Sequence, residues 1–280
     1  MKTVTTKEGV RHLVGEWKKA SLTVGFVPTM GYFHQGHLSL MDECRKLADR
    51  VIVSLFVNPS QFGPNEDLAS YPRDIERDLR LAGEHGVDAI FMPDEGEMYP
   101  RNHRTWVIVE DLTERLCGGS RPGHFRGVAT VVAKLFNIVQ PDVALFGQKD
   151  FQQLQVIRQM AKDLDMPVKI VGCPIVREKD GLAMSSRNAY LSEEERRSAL
   201  CLYRALTLAR RLVLEKGVTS CLDIQKAMRE EIESFPFTKI DYIFTGDPES
   251  LQPLERVRSP LLVALAVFVG TTRLIDNMLI

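Results

Sequence analysis

Up to about residue 176 the chain alternates short apolar runs with stretches of helical periodicity. No other feature constrains its fold as tightly. The runs at residues 22–27, 50–57, 88–92, 106–109, 143–146 and 168–176 are dense in Val, Ile, Leu and Phe, as strands buried on both faces of a parallel sheet are. Between them, Leu38, Met41, Cys44, Leu47 and Ala48 fall on one helical face, and so do Ile75, Leu79 and Ala82. Val131, Leu135, Ile138 and Val139 repeat the spacing within 127–139, and residues 152–164 give a further helix. This alternation predicts an α/β fold with a Rossmann-like, doubly wound parallel sheet over residues 1–176. Beyond Arg177 the pattern changes. A polar turn, Glu178-Lys179-Asp180-Gly181, reads as a hinge. Helices over 193–214 and 222–235 then lead to apolar runs at 240–245, 261–269 and 272–278. Residues 177–280 are therefore expected to form a smaller α+β C-terminal lid domain with a small antiparallel sheet.

Charge and composition narrow the function classes. The 36 Lys and Arg against 37 Asp and Glu leave a net charge of −1. That argues against a nucleic-acid or membrane-surface binder, since both rely on excess cation. The longest apolar stretch, 261–269, is too short to span a bilayer, and residues 1–6 lack the apolar core of a signal peptide. Cys44, Cys117, Cys173, Cys201 and Cys221 are widely spaced and form no C-x-x-C pair. They read as small apolar fillers in a reducing cytosol.

Candidate chemistry lies in the loops that follow the strands. His34-Gln35-Gly36-His37 follows the first apolar run through Pro28-Thr29-Met30-Gly31 and opens a helix. A helix N-terminus offers unpaired N–H groups to a polyphosphate, and histidine can donate to developing negative charge. Two surface histidines or a zinc pair are the alternatives, although a catalytic zinc needs a third protein ligand. Asn58-Pro59-Ser60-Gln61 ends the second run, and Gln61 carries an amide that donates and accepts at once. Arg121 to Gly127 is a basic, glycine-rich loop that suits a phosphate, a dimer contact or a plain helix start. At Gly147-Gln148-Lys149-Asp150, Lys149 can meet phosphate. Asp150 can cap a helix, hold Mg²⁺ or reach a ribose hydroxyl. Met184-Ser185-Ser186-Arg187 lies beyond the hinge, either as a loop that closes on a triphosphate, with Arg187 bidentate, or as solvated linker.

Together these segments resemble a known family. Pro28 to His37, Val57 to Phe62, Arg121 to Phe125, Phe146 to Gln153 and Gly181 to Asn188 look like the signature blocks of the pantothenate synthetase (pantoate–β-alanine ligase) family, in order. The resemblance implies that pantoate and ATP give pantoyl adenylate and pyrophosphate, and that β-alanine then displaces AMP. It also implies Mg²⁺ with unassigned ligands, a homodimer, a cytoplasmic location, and no nucleic-acid or membrane partner. By position, His34, His37 and Lys149 would be catalytic. ATP would be bound by Met30, Gly31, His34, His37, Gly147, Gln148, Lys149, Asp150, Val176, Met184, Ser185, Ser186 and Arg187. Gln61, Gln153 and Asn58 would bind pantoate and β-alanine. One position departs from the family. Its pattern Leu-Glu-Gly-x-x-Arg-Pro-Gly-His-Phe expects an acid where this chain has Cys117, which cannot supply a fixed carboxylate.

Overall fold

The computed structural model describes residues 1–64 and 66–280. Six strands, β1 (Lys2–Val4), β2 (Val24–Thr29), β3 (Arg50–Leu55), β4 (Ala89–Phe91), β5 (Val143–Gly147) and β6 (Lys169–Cys173), pair in parallel in the order β1-β4-β3-β2-β5-β6. Helices α1 (Lys7–Lys19), α2 (Gln35–Leu47), α3 (Ile75–Glu84), α4 (Glu95–Met98), α5 (Cys117–Ser120), α6 (His124–Val139) and α7 (Phe151–Asp163) fall between or after them. The expected Rossmann-like doubly wound sheet is present. From β2 the order runs one way through β3 and β4 and the other way through β5 and β6, so it reverses between β2 and β5. In such a sheet, ligands bind outside the strands' carboxyl ends at that reversal.

Helix α2 is seated directly on β2. Its buried face is Leu38, Leu40, Met41 and Cys44. Gly25 in β2 lets it approach closely, because a Cβ there would collide with Cys44 Sγ and press on Ala48 Cβ at 3.0 Å. The Cys44 thiol is pushed up to about 12 by burial, in keeping with an inert apolar filler. All five cysteines are buried and free.

The remaining elements are α8 (Glu193–Ser198), α9 (Cys201–Leu214), α10 (Cys221–Glu233) and an antiparallel sheet of β7 (Thr238–Gly246), β8 (Leu262–Val269) and β9 (Thr272–Leu279) in that order. Leu202, Ala205 and Leu206 of α9 and Ile224 and Met228 of α10 cluster with Val263, Leu265 and Val267 of β8. This is the small α+β fold anticipated for the C-terminal part. No helix among the described residues is long and apolar enough to cross a membrane.

Two local expectations are corrected, and one strand carries no signal in the sequence. Residues 106–109 form no strand. The Val107 N–H donates to Thr130 Oγ1 at 2.9 Å instead of to a ladder, Trp106 stacks on Tyr99 beneath the Arg126 guanidinium, and Ile108 is 65% exposed. The edge strand β1, paired with β4, is three residues long and too polar to be read from an apolar run. The helix expected over 193–214 divides at Ala199–Leu200, where ψ rises to −20° and −16° and the turn tightens.

The chain forms two compact units. One comprises Met1–Thr113, Arg121–Gln148 and Gln153–Pro174, and the other Glu114–Ser120, Lys149–Gln152 and Ile175–Ile280. Two short segments that local pattern leaves in the first domain therefore belong with the second. Long-range bonds hold them there. Gln152 accepts from the Cys117 N–H at 3.0 Å and donates to the Arg115 carbonyl at 2.7 Å. The Cys117 thiol lies 3.4 Å from the Tyr242 hydroxyl and 3.6 Å from both terminal guanidinium nitrogens of Arg273. Arg273 finds its carboxylate in Asp241, at 2.7 and 3.0 Å.

Gly25→Ala is expected to lower unfolding stability by about 1–3 kcal/mol, the cost of overpacking a filled core, as measured by urea denaturation. An unchanged midpoint would mean that α2 is not held to β2 by this close approach.

Candidate active site

In the first unit the site is built on the turn from β2 to α2. Thr29 Oγ1 donates to the Ser54 carbonyl at 2.7 Å and accepts from the Gly31 N–H at 3.3 Å. Gly31 and Tyr32 take φ values of +86° and +53°, which bends the chain sharply before the helix. The bend is pinned by Asp78 of α3. Its Oδ2 accepts from the Tyr32 N–H at 2.6 Å and its Oδ1 from the Phe33 N–H at 2.7 Å. Asp78 is 1% exposed. Burial pushes its carboxyl up, and the two amides and Arg77 only partly offset that.

The two histidines then cap the helix reciprocally. His34 is the N-cap in extended conformation, and its Nδ1 accepts from the Gly36 N–H at 3.1 Å. His37 Nδ1 accepts from the His34 N–H at 3.3 Å. The rings lie 4.1 Å apart, centroid to centroid. A ring nitrogen that accepts an N–H carries no proton, so in the neutral imidazole the proton sits on Nε2. Each neutral ring thus carries its proton on Nε2, beside the positive end of the helix dipole.

The Asn58–Gln61 segment lies beside this turn. Asn58, 1% exposed, uses its side chain within the fold. Its Nδ2 donates to Gln61 Oε1 at 3.0 Å and to the Gly127 carbonyl at 3.2 Å, and its Oδ1 accepts from Ser60 and from the Tyr99 hydroxyl. Gln61 Nε2 in turn reaches Met30 Sδ at 3.2 Å. The structure therefore brings Gln61 against the β2–α2 turn and makes Asn58 its support. The basic loop at Arg121 resolves as a further support. Arg121 forks onto Glu66 at 2.7 and 2.6 Å, and His124 Nδ1 bonds to the Gln61 carbonyl at 2.8 Å. Burial raises the Glu66 carboxyl, but Arg121 outweighs it and holds the group below its usual range. Gly147 and Gln148 lie at the carboxyl end of β5, across the reversal from β2, and Gln153 is half-buried on α7.

The second unit carries the other candidates. Lys149 Nζ lies 3.8 Å from Asp150 Oδ2, and the Lys149 carbonyl accepts from Asn277 Nδ2 at 2.9 Å. The Met184 N–H donates to the Val176 carbonyl at 3.0 Å, closing the hairpin that returns the chain to Ser185. Ser185 caps the short 3₁₀ turn Ser186–Tyr190 by accepting from the Arg187 N–H. Asp78 was not among the residues singled out in the sequence; its place on the inward face of α3, where Asp78 and Ala82 are buried and Ile75 is 45% exposed, shows only in the folded helix.

The sequence matches the pantoate-beta-alanine ligase family over residues 2–279. It is 55% identical over 280 residues to the pantothenate synthetase of Moorella thermoacetica, covering all of this chain and 99% of that one. To the enzyme of Caldicellulosiruptor saccharolyticus it is 57% identical over 271 residues, covering 97% and 96%. The fold superposes on the crystal structure of pantothenate synthetase from Thermus thermophilus with a TM-score of 0.93 at 48% identity, covering 99% of each chain. For the pantoate-beta-alanine ligase of Francisella tularensis, complexed with beta-gamma ATP and beta-alanine, the TM-score is 0.83 at 33% identity, with 100% and 97% covered.

The raised Asp78 carboxyl gives a pH test. The folded chain keeps this proton to higher pH than the unfolded chain. Its contribution to stability is complete at low pH and is lost as pH rises through the raised value. As pH rises above about 4, the range of an ordinary carboxyl, the stability advantage of wild type over Asp78→Asn should shrink in urea titrations. An advantage that grows with pH would contradict this.

Proposed function

The chain belongs to the pantoate-beta-alanine ligase family, and on that premise we propose how its residues divide the work of the ligase. The reaction joins pantoate to β-alanine at the expense of ATP, through pantoyl adenylate, with release of pyrophosphate and then AMP. In the first step the nucleophile is a carboxylate, already ionised at neutral pH, so no general base is required. An oxygen of pantoate attacks the α-phosphorus and pyrophosphate leaves. What the enzyme supplies is positioning and stabilisation of charge on the phosphates.

One observation carries the assignment. Both histidines spend Nδ1 on backbone N–H groups at the first turn of α2, which leaves the proton of each neutral ring on Nε2, at a helix N-terminus beside the reversal of the sheet. His34 and His37 donate to the phosphates, together with Lys149 and Arg187. Met30, Gly31, Gly147, Gln148, Asp150, Val176, Met184, Ser185 and Ser186 complete the nucleotide contacts. Gln61 and Gln153 hold pantoate. Neutral amides suit that role, because an arginine clamp would bind the carboxylate at the expense of its nucleophilicity. Asn58 serves pantoate and β-alanine through its hold on Gln61.

Among the described residues no group of three or more His, Cys, Asp or Glu is placed to cage a metal. Mg²⁺, which is commonly held by one or two carboxylates plus substrate phosphates, fits the half-exposed Asp150 beside Lys149. When bound, it neutralises phosphate charge. In the second step the β-alanine amine sheds its proton to solvent or phosphate, attacks the acyl carbon and releases AMP. Ser185 to Arg187, in a C-terminal lid of residues 177–280, shield the water-sensitive adenylate, while residues 1–176 form the nucleotide- and pantoate-binding domain. The reading extends to a cytoplasmic homodimer. Free buried thiols accord with a reducing compartment, and the dimer follows from family membership.

His34→Ala and Lys149→Ala should each slow pantoate-dependent ATP–pyrophosphate exchange by ~10²-fold or more. His34→Asn keeps a capping acceptor but lacks the ring donor, so it should be equally slow. Exchange near the wild-type rate in these variants would remove both side chains from the reaction. With substrates omitted in turn, sustained AMP release should require both pantoate and β-alanine. Release without pantoate would indicate a different acceptor. Gln153→Ala should raise the KM for pantoate while ATP binding, followed by calorimetry, is kept. A selective loss of ATP binding would move Gln153 to the nucleotide.

A further inference from the structure

We propose that Asp276 and Asn277, neighbours on β9, are positioning residues that set the second unit's two nucleotide segments from a single strand. The proposal rests on the assignment of Lys149 and Ser185 to Arg187 to ATP made above. Lys149 and Arg187 are 38 positions apart in sequence, yet each belongs to a segment anchored at the same place. Side chains at successive strand positions point to opposite faces. Asp276 and Asn277 are nevertheless both buried, at 2% and 5% exposure, so β9 has packed structure on either side of it.

From one face, Asn277 Nδ2 donates to the Lys149 carbonyl at 2.9 Å. That bond fixes the 3₁₀ turn Gln148–Asp150, and with it the direction in which the Lys149 side chain leaves the backbone. From the other face, Asp276 takes both terminal nitrogens of Arg177, at 2.6 and 2.9 Å. The same guanidinium donates to the Gly181 carbonyl at 3.0 Å and lies over the Tyr203 ring at 4.7 Å. Arg177 pairs with Ala183 across the hairpin. The Arg177–Asp276 fork thus holds both ends of the turn that delivers Met184 to Arg187. Lys149, Ser185, Asn188 and Asp276 line one small cavity where the two segments meet β9. Neither β9 residue belongs to a sequence block that marks the site, and both act through other residues.

A double-mutant cycle tests this. Asn277→Ala should lower the kcat of pantoate-dependent ATP–pyrophosphate exchange about tenfold, the worth of one such hydrogen bond, with the pantoate KM unchanged and the thermal midpoint nearly kept. In a Lys149→Ala background the same substitution should have almost no further effect, because it acts through that lysine. For the other arm, Arg177→Met combined with Asp276→Leu buries no lone charge and so preserves the fold. It should slow exchange in the wild type and have little effect in an Arg187→Ala background. Effects that multiply in either background would overturn the proposal for that arm. The ligase-site assignment fails separately, if Lys149→Ala or Arg187→Ala alone exchanges like wild type.

Discussion

A parallel sheet brings all its strands' carboxyl ends to one edge, and where the strand order reverses, the loops leaving neighbouring strands diverge and open a crevice. Here that reversal falls between β2 and β5. The loop that leaves β2 beside it is held firmly in place. The β2 loop is bent by two consecutive positive φ values and tied through Thr29 to β3 and through Asp78 to α3. The helix it enters is clamped to the strand at Gly25. Sheet topology chooses the place, and these ties make it a fixed array of donors.

The outline of the fold was legible from periodicity alone, because strands buried on both faces leave an unbroken apolar signature that few other structures share. What was lost lay where local pattern and tertiary bonding part company. Trp106 to Val109 has strand-like residues, but Thr130 captures the Val107 amide and an aromatic stack takes the ring. The brief β1 carries too few residues for any pattern. Of the proposed site residues, His34, His37, Gln61 and Lys149 stand out in the sequence because their loops follow strands and their residue types speak of phosphate and amide chemistry. Asp78, Asp276 and Asn277 do not. Their partners are backbone groups or a distant arginine, and a carboxylate among apolar neighbours reads locally as a flaw in a helix or strand.

The division of charge is consistent with the chemistry. The buried carboxylates Asp78 and Asp276 and the half-buried Glu66 are committed to framework bonds, where a strong acceptor organises several donors at once. The groups assigned to the phosphates and to pantoate are imidazoles and amides together with Lys149 and Arg187, with Asp150 left to the metal. Anionic substrates therefore meet donors and cations, while the acids that shape those donors stay paired with amides or guanidinium. The Cys117 position follows the same economy: Arg273 draws its carboxylate from β7 in Asp241, and the thiol beside it needs no charge of its own.

The bond between Asn277 and the Lys149 carbonyl spans 128 positions, whereas Asp78 lies 45 positions beyond the Phe33 amide it accepts. On a ribosome the chain emerges in order. The histidine turn acquires its anchor within the first half of synthesis, but Lys149 must wait until β9 has been made. The nascent protein therefore passes through a long stage in which its histidines are set and its lysine is not. On the proposed assignment of Lys149 to ATP, competence to activate an acid waits for the arrival of that last strand.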